Sequence, residues 1–214
     1  MIQNSDLTQI ERNAYRKFFQ DGIWDILLGL MVIGAGYAPL ISELGIERPW
    51  NILIAFIPSF AVLIFGKKYV TIPRLGLVKF GPKRRADRKK LIIVSSVFIF
   101  TTIILVILTK AELLPFGWST TAGDITGPVV ISLLLIGLPL SIVAYFIDFN
   151  RLYLYAVVIS LTWPSTEILY YYYSSPLDEI IVFGIAGGIP LIIGLTFLVK
   201  FMIKYPLSTD KTAI

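Results

Sequence analysis

Apolar residues run along this chain in long uninterrupted stretches joined by short polar connections. A helix needs about 20 mostly apolar residues to cross the hydrocarbon core of a bilayer. Six stretches meet or approach that length: 22–42, 50–66, 91–109, 127–147, 152–173 and 180–203. The second, which contains Pro58, is the shortest. Several are β-branched runs that would make weak helices in water. In lipid the backbone has to satisfy its own hydrogen bonds, so helix prevails. The pattern predicts an all-α integral membrane bundle of six transmembrane helices, one membrane domain over 22–204. An N-terminal segment, 1–21, precedes it and a tail, 205–214, follows.

Charge then sets the direction of threading. Lys and Arg collect in cytoplasmic connections close to span ends. With six spans, 17 of the 19 Lys and Arg fall on one side, and only Arg48 and Lys110 on the other. Both termini are therefore expected in the cytoplasm, with the protein in the cell membrane. Aromatic residues agree: Trp50, Trp118 and Tyr170–Tyr173 mark the outer interface, and Trp24, Tyr153 and Tyr155 the inner one.

Composition narrows the chemistry. Of 214 residues, 56% are apolar and 15% charged, whereas soluble domains are about a quarter charged. There is no Cys and no His, which removes thiolate nucleophiles, disulfides and imidazole acid–base catalysis. No phosphate-cradling loop or dinucleotide fingerprint is present. No catalytic constellation, metal site or cofactor is expected.

Two segments outside the spans stand out. Residues 5–21 carry Leu7, Ile10, Ala14 and Phe18 at helical spacing, with Arg12, Arg16 and Lys17. They read as an amphipathic helix on the inner leaflet or a plain lead-in to the first span. The loop 67–90 holds ten basic residues: Lys67, Lys68, Arg74, Lys79, Lys83, Arg84, Arg85, Arg88, Lys89 and Lys90. Its apolar halves, 69–72 and 77–80, flank a Pro73–Gly76 turn, which predicts a small hairpin or tight loop. Basic residues next to a span attract anionic lipid, each contributing about 1 kcal/mol. Topology needs fewer than ten, so anionic headgroups are the expected partners. Nucleic acid is not, because no recognition module is present.

The stretch Thr71-x-Pro73-Arg74-x-Gly76-x-Val78-Lys79 resembles a juxtamembrane segment of small uncharacterised multi-pass membrane proteins of bacteria and archaea. The likeness extends to Asp21-Gly22-x-Trp24-Asp25 at the entry to the first span. It implies a membrane location and no particular activity.

Ionisable residues inside a membrane are costly and are candidate functional groups. Glu167 follows Pro164, with Thr162 and Thr166 nearby, so a helix kink beside a carboxylate could form a transport site. Equally, Glu167 could be a wet interfacial residue close to Tyr170–Tyr173. Asp21 and Asp25 share a face at a helix start, where negative charge is favoured, and could meet the basic loop. Asp148 and Arg151 are expected to cap or pair within the short fourth loop. Lys200 and Lys204 are expected to reach the inner headgroups. Small residues spaced by four, Gly34/Ala38/Ser42, Ala55/Ser59 and Gly184/Gly188, would let helices approach, within the chain or in a homodimer.

The leading expectation is a non-enzymatic accessory or scaffold component that contacts anionic lipid or a membrane-protein partner through its basic loop. A small transporter or channel using Glu167 is the alternative. A lipid-modifying enzyme is weaker still, since it would require Asp21, Asp25, Asp148 and loop arginines to converge.

Overall fold

The computed structural model describes residues 20–47, 49–75 and 126–206, together with isolated positions between 89 and 104. The described residues form helices and connections, with no strand among them. In order these are α1 (Ile23–Glu43), α2 (Trp50–Gly66), a π-helical turn (Lys67–Thr71) and α3 (Ile72–Leu75). Next come α4 (Thr126–Ser132), a second π-helical turn (Leu133–Gly137) and α5 (Leu138–Ile147). The last are α6 (Arg151–Ser160), α7 (Thr162–Tyr170) and α8 (Leu177–Lys204).

Five helical stretches are long and apolar enough to cross a membrane: Ile23–Glu43, Trp50–Arg74, Pro128–Ile147, Arg151–Tyr170 and Leu177–Lys204. The expected third span, 91–109, lies partly outside the described residues; its described positions are helical. The N-terminal segment up to residue 19 and the tail from 207 also lie outside them.

One expectation changes. The second span does not stop at Gly66, and residues 67–75 are not the first arm of a hairpin. The helix runs on to Leu75 through the π-helical turn. Residues 69–72 are apolar enough to prolong it, and a helix pairs their backbone groups within the segment, whereas a lone hairpin leaves its outward-facing ones unpaired. The chain falls into two compact units, one of residues 1–79 with 172–214, the other of residues 80–171.

In the first unit α1 packs against both α2 and α8. Asp21 starts α1 by accepting the Ile23 N–H on Oδ1 (3.1 Å), and Gly22 adopts φ 77°. Gly45, at φ 87°, lets the chain turn after it. Against α8 the contact is backbone on backbone. A Cβ on Gly29 would stand 2.7 Å from the Gly187 carbonyl oxygen, and a Cβ on Gly194 would stand 2.8 Å from that of Gly22. Gly22 and Gly29 lie seven residues apart, as do Gly187 and Gly194, so the two antiparallel helices meet at matched levels.

Against α2 the expected small-residue rows face each other. A Cβ on Gly34 would lie 2.5 Å from the Ala55 carbonyl oxygen. Asn51 Nδ2 donates to the Ala38 carbonyl (3.2 Å) and to Ser42 Oγ (2.6 Å). Gly29 and Gly34 are about 140° apart around α1, so α8 and α2 flank it on different sides. The Gly184/Gly188 pair plays no such part: a Cβ on either would meet nothing within 4 Å among the described residues. Gly187 and Gly194 define the face of α8 that packs on α1.

In the second unit α5 and α6 form a helical hairpin. Asp148, at φ 57°, ends α5; its N–H donates to Tyr145 O (3.4 Å) and that of Phe149 to Ala144 O (3.1 Å). This pair of bonds is the Schellman closure of a helix, so Asp148 does cap the short fourth loop. Tyr155, expected among the inner interfacial aromatics, lies in the first half of α6. It is fully buried, edge-on to Phe149 at 6.4 Å. A ring that large fills the core of the α5–α6 turn.

Candidate functional site

The most concentrated polar chemistry in the first unit sits where α1 begins and α2 passes into its π-helical turn. Asp21 is 0% exposed, and its carboxylate is fully used. Oδ1 accepts the Ile23 N–H, while Oδ2 accepts both Lys67 Nζ and Thr71 Oγ1 at 2.5 Å each. Thr71 is buried, and the Lys67 side chain is only 13% exposed. Asp25, one turn along α1, is also buried and close enough to Lys67 to attract it. A carboxylate taken from water is tolerated when paired and hydrogen-bonded, and here three donors converge on it.

The two stretches that carry the sequence resemblance therefore meet. Asp21, Gly22 and Asp25 come from one, and Thr71 from the other. Gly22 and Asp25 also form part of the close contact with Gly194 on α8. The cluster thus joins the N-terminal end of α1 to the C-terminal ends of its two neighbours.

Around this end lie exposed cations. Lys68 stands over the Tyr69 ring (5.4 Å), Lys200 over Phe197 (5.9 Å) and Lys204 over Tyr205 (5.8 Å). Arg74 is half-buried and donates from Nη1 to the Val70 carbonyl (3.0 Å). Lys89 and Lys90, which belong to the second unit, are exposed as well. Lys67 alone among the described loop cations turns inward, to Asp21 rather than toward headgroups. Lys79, Lys83, Arg84, Arg85 and Arg88 lie outside the described residues. The opposite end of the first unit is acidic, with Glu43 and Glu47 exposed and Asp178 buried in the first turn of α8.

The transport candidates lie in the second unit. The expected fifth span is interrupted at Leu161, between α6 and α7. Pro164 has no N–H for the Ser160 carbonyl four residues back, and its ring crowds that carbonyl, so the break falls just before it. Glu167 Oε1 accepts from Trp163 Nε1 (3.3 Å) and is half-buried. Thr162 Oγ1 donates to Ile159 O (2.6 Å) and Thr166 Oγ1 to Trp163 O (2.7 Å). Both hydroxyl protons therefore serve the local backbone, Thr162 reaching back into α6, and only oxygen lone pairs remain to meet a ligand.

Asp21 with Lys67 was half legible. The sequence placed the acids at a helix start near a basic loop, but only the π-helical turn brings Thr71 to them. Among the described residues no group of three or more acidic side chains could hold a metal ion. No family model, curated protein or solved structure matches this chain.

Proposed function

We propose that this chain is a six-span protein of the cell membrane, with both termini and the Asp21–Lys67 end on the cytoplasmic side. In this reading it serves as a non-enzymatic accessory or scaffold component that holds anionic lipid headgroups at that end. The carrying observation is the polarity of the first unit: exposed Lys68, Lys200 and Lys204, each over an aromatic ring, at one end and Glu43 and Glu47 at the other. Cations favour the negatively charged cytoplasmic leaflet, and aromatic rings favour the headgroup level.

The test is lipid retention by the purified full chain, read by native mass spectrometry with phosphatidylglycerol against phosphatidylcholine. Replacing Lys68, Lys200 and Lys204 by Gln should weaken retention of the anionic lipid alone. Each charge contributes about 1 kcal/mol, or about fivefold. Equal retention of both lipids by the unaltered chain would overturn the reading.

A second reading is a small proton- or cation-coupled transporter, favoured by the broken α6–α7 helix beside Glu167. Ion flux into proteoliposomes that Glu167→Gln abolishes would establish it, and absence of flux in the unaltered protein would dispose of it.

A further inference from the structure

The two groups that Asp21 Oδ2 binds, Lys67 Nζ and Thr71 Oγ1, belong to the first and last residues of one π-helical turn. Upstream, α2 presents Asn51 and Ser59, both buried, along its inner face, where Asn51 reaches α1. An uninterrupted α-helix advances about 100° per residue. Continued past Gly66, it would place Val70 about 20° from Ser59 and Thr71 about 120° from it. The structure shows the reverse order of burial, with Thr71 buried and Val70 only half-buried. The wider turn, closed by i→i+5 bonds, rotates each residue through a smaller angle and swings Thr71 back to the carboxylate. The local sequence permits it: Pro73 has no N–H for the Tyr69 carbonyl, so the α-helical ladder is already broken there.

We propose that Asp21 is the clamp of a two-register element. With Lys67 and Thr71 held, the turn is π-helical; with them released, it reverts to α-helix and rotates Thr71 away from α1 while Val70 turns in. Loss of the carboxylate removes both bonds that reward the wider turn. Anything that draws the Lys67 ammonium from Asp21 shifts the element toward the α register, which re-aims Arg74 and the start of the basic loop. This device is separate from whatever the basic end binds.

Because the chain has no Cys, single cysteines report on it without background. The full chain in lipid nanodiscs would carry either Thr71→Cys, whose thiol keeps a donor for Asp21 while Lys67 still holds the carboxylate, or Val70→Cys, and the rate of maleimide labelling would be measured for each. Adding Asp21→Ala should raise the rate at position 71 and lower it at position 70, each severalfold. Mere loosening of the helix end would raise both. Rates that rise together, or stay unchanged, overturn the proposal. If Asp21→Ala fails to fold, the apolar pair Asp21→Leu with Lys67→Met removes the clamp without stranding a buried charge. The same opposed shifts are expected there, and their absence in that variant is equally contradictory.

Discussion

Gly29 and Gly187 meet through their backbones: a methyl group on either would fall within 2.7 Å of the other's carbonyl oxygen. Small residues let helices in lipid approach this closely, where dispersion and weak backbone contacts replace the missing hydrophobic drive. Gly29→Ala or Gly187→Ala must therefore push α1 and α8 apart. The expected loss is about 1–3 kcal/mol, the usual cost of overpacking. Thermal unfolding in detergent measures it. Gly184→Ala and Gly188→Ala, where space is open, should leave the midpoint unchanged or raise it through better helix propensity.

The Asp21–Lys67 pair makes a second demand on stability. Removing one partner of a buried ion pair strands the other, at a cost of about 3–5 kcal/mol. Asp21→Ala and Lys67→Met should each destabilise the first unit by that order. The combined Asp21→Leu and Lys67→Met replacement should recover most of the loss. Denaturant unfolding of the single and combined variants forms a double-mutant cycle, and simple additivity would show that the pair is not coupled.

Asn51 links α2 to α1 through the Ala38 carbonyl and Ser42 Oγ. Hydrogen bonds between helices in lipid average about 0.6 kcal/mol and reach about 1.7. Asn51→Ala should cost within that range, with Asn51→Leu no better because it offers no donor to the Ala38 carbonyl. Unfolding midpoints measured side by side decide this.

Much of this architecture could be read from the chain. Apolar run lengths located the five long apolar helices among the described residues, although the second runs on past Gly66. The Gly34/Ala38/Ser42 and Ala55/Ser59 rows were legible as places of close approach, and the structure brings Gly34 against Ala55. The glycines that matter most were less visible: Gly22, Gly29, Gly187 and Gly194 repeat at seven, while the conspicuous Gly184 and Gly188 repeat at four. Spacing alone does not say which face a neighbour covers. The site was hidden for a related reason. Thr71 and Asp21 are fifty residues apart, and a regular helix would have aimed Thr71 elsewhere; no sequence pattern announces a π-helical turn. Lys67 read as one more cation of a basic loop, and only its burial against Asp21 separates it from Lys68.

Glu167 and Trp163, one helical turn apart, make a bond of 3.3 Å beside the break at Leu161. Pro164→Ala restores the N–H that the Ser160 carbonyl lacks. It should mend the interruption, joining α6 and α7, and slow amide hydrogen exchange across residues 160–165. Exchange as fast as in the unaltered chain would place the cause of the break elsewhere than Pro164.

In the proposed reading the polypeptide crosses a bilayer with the Asp21–Lys67 end inside. The most direct test uses single cysteines in intact cells with a membrane-impermeant maleimide. Glu43→Cys and Glu47→Cys should label from outside, while Lys68→Cys and Lys204→Cys should label only after the membrane is opened. Labelling of Lys68→Cys or Lys204→Cys in sealed cells, with Glu43→Cys protected, would contradict the account.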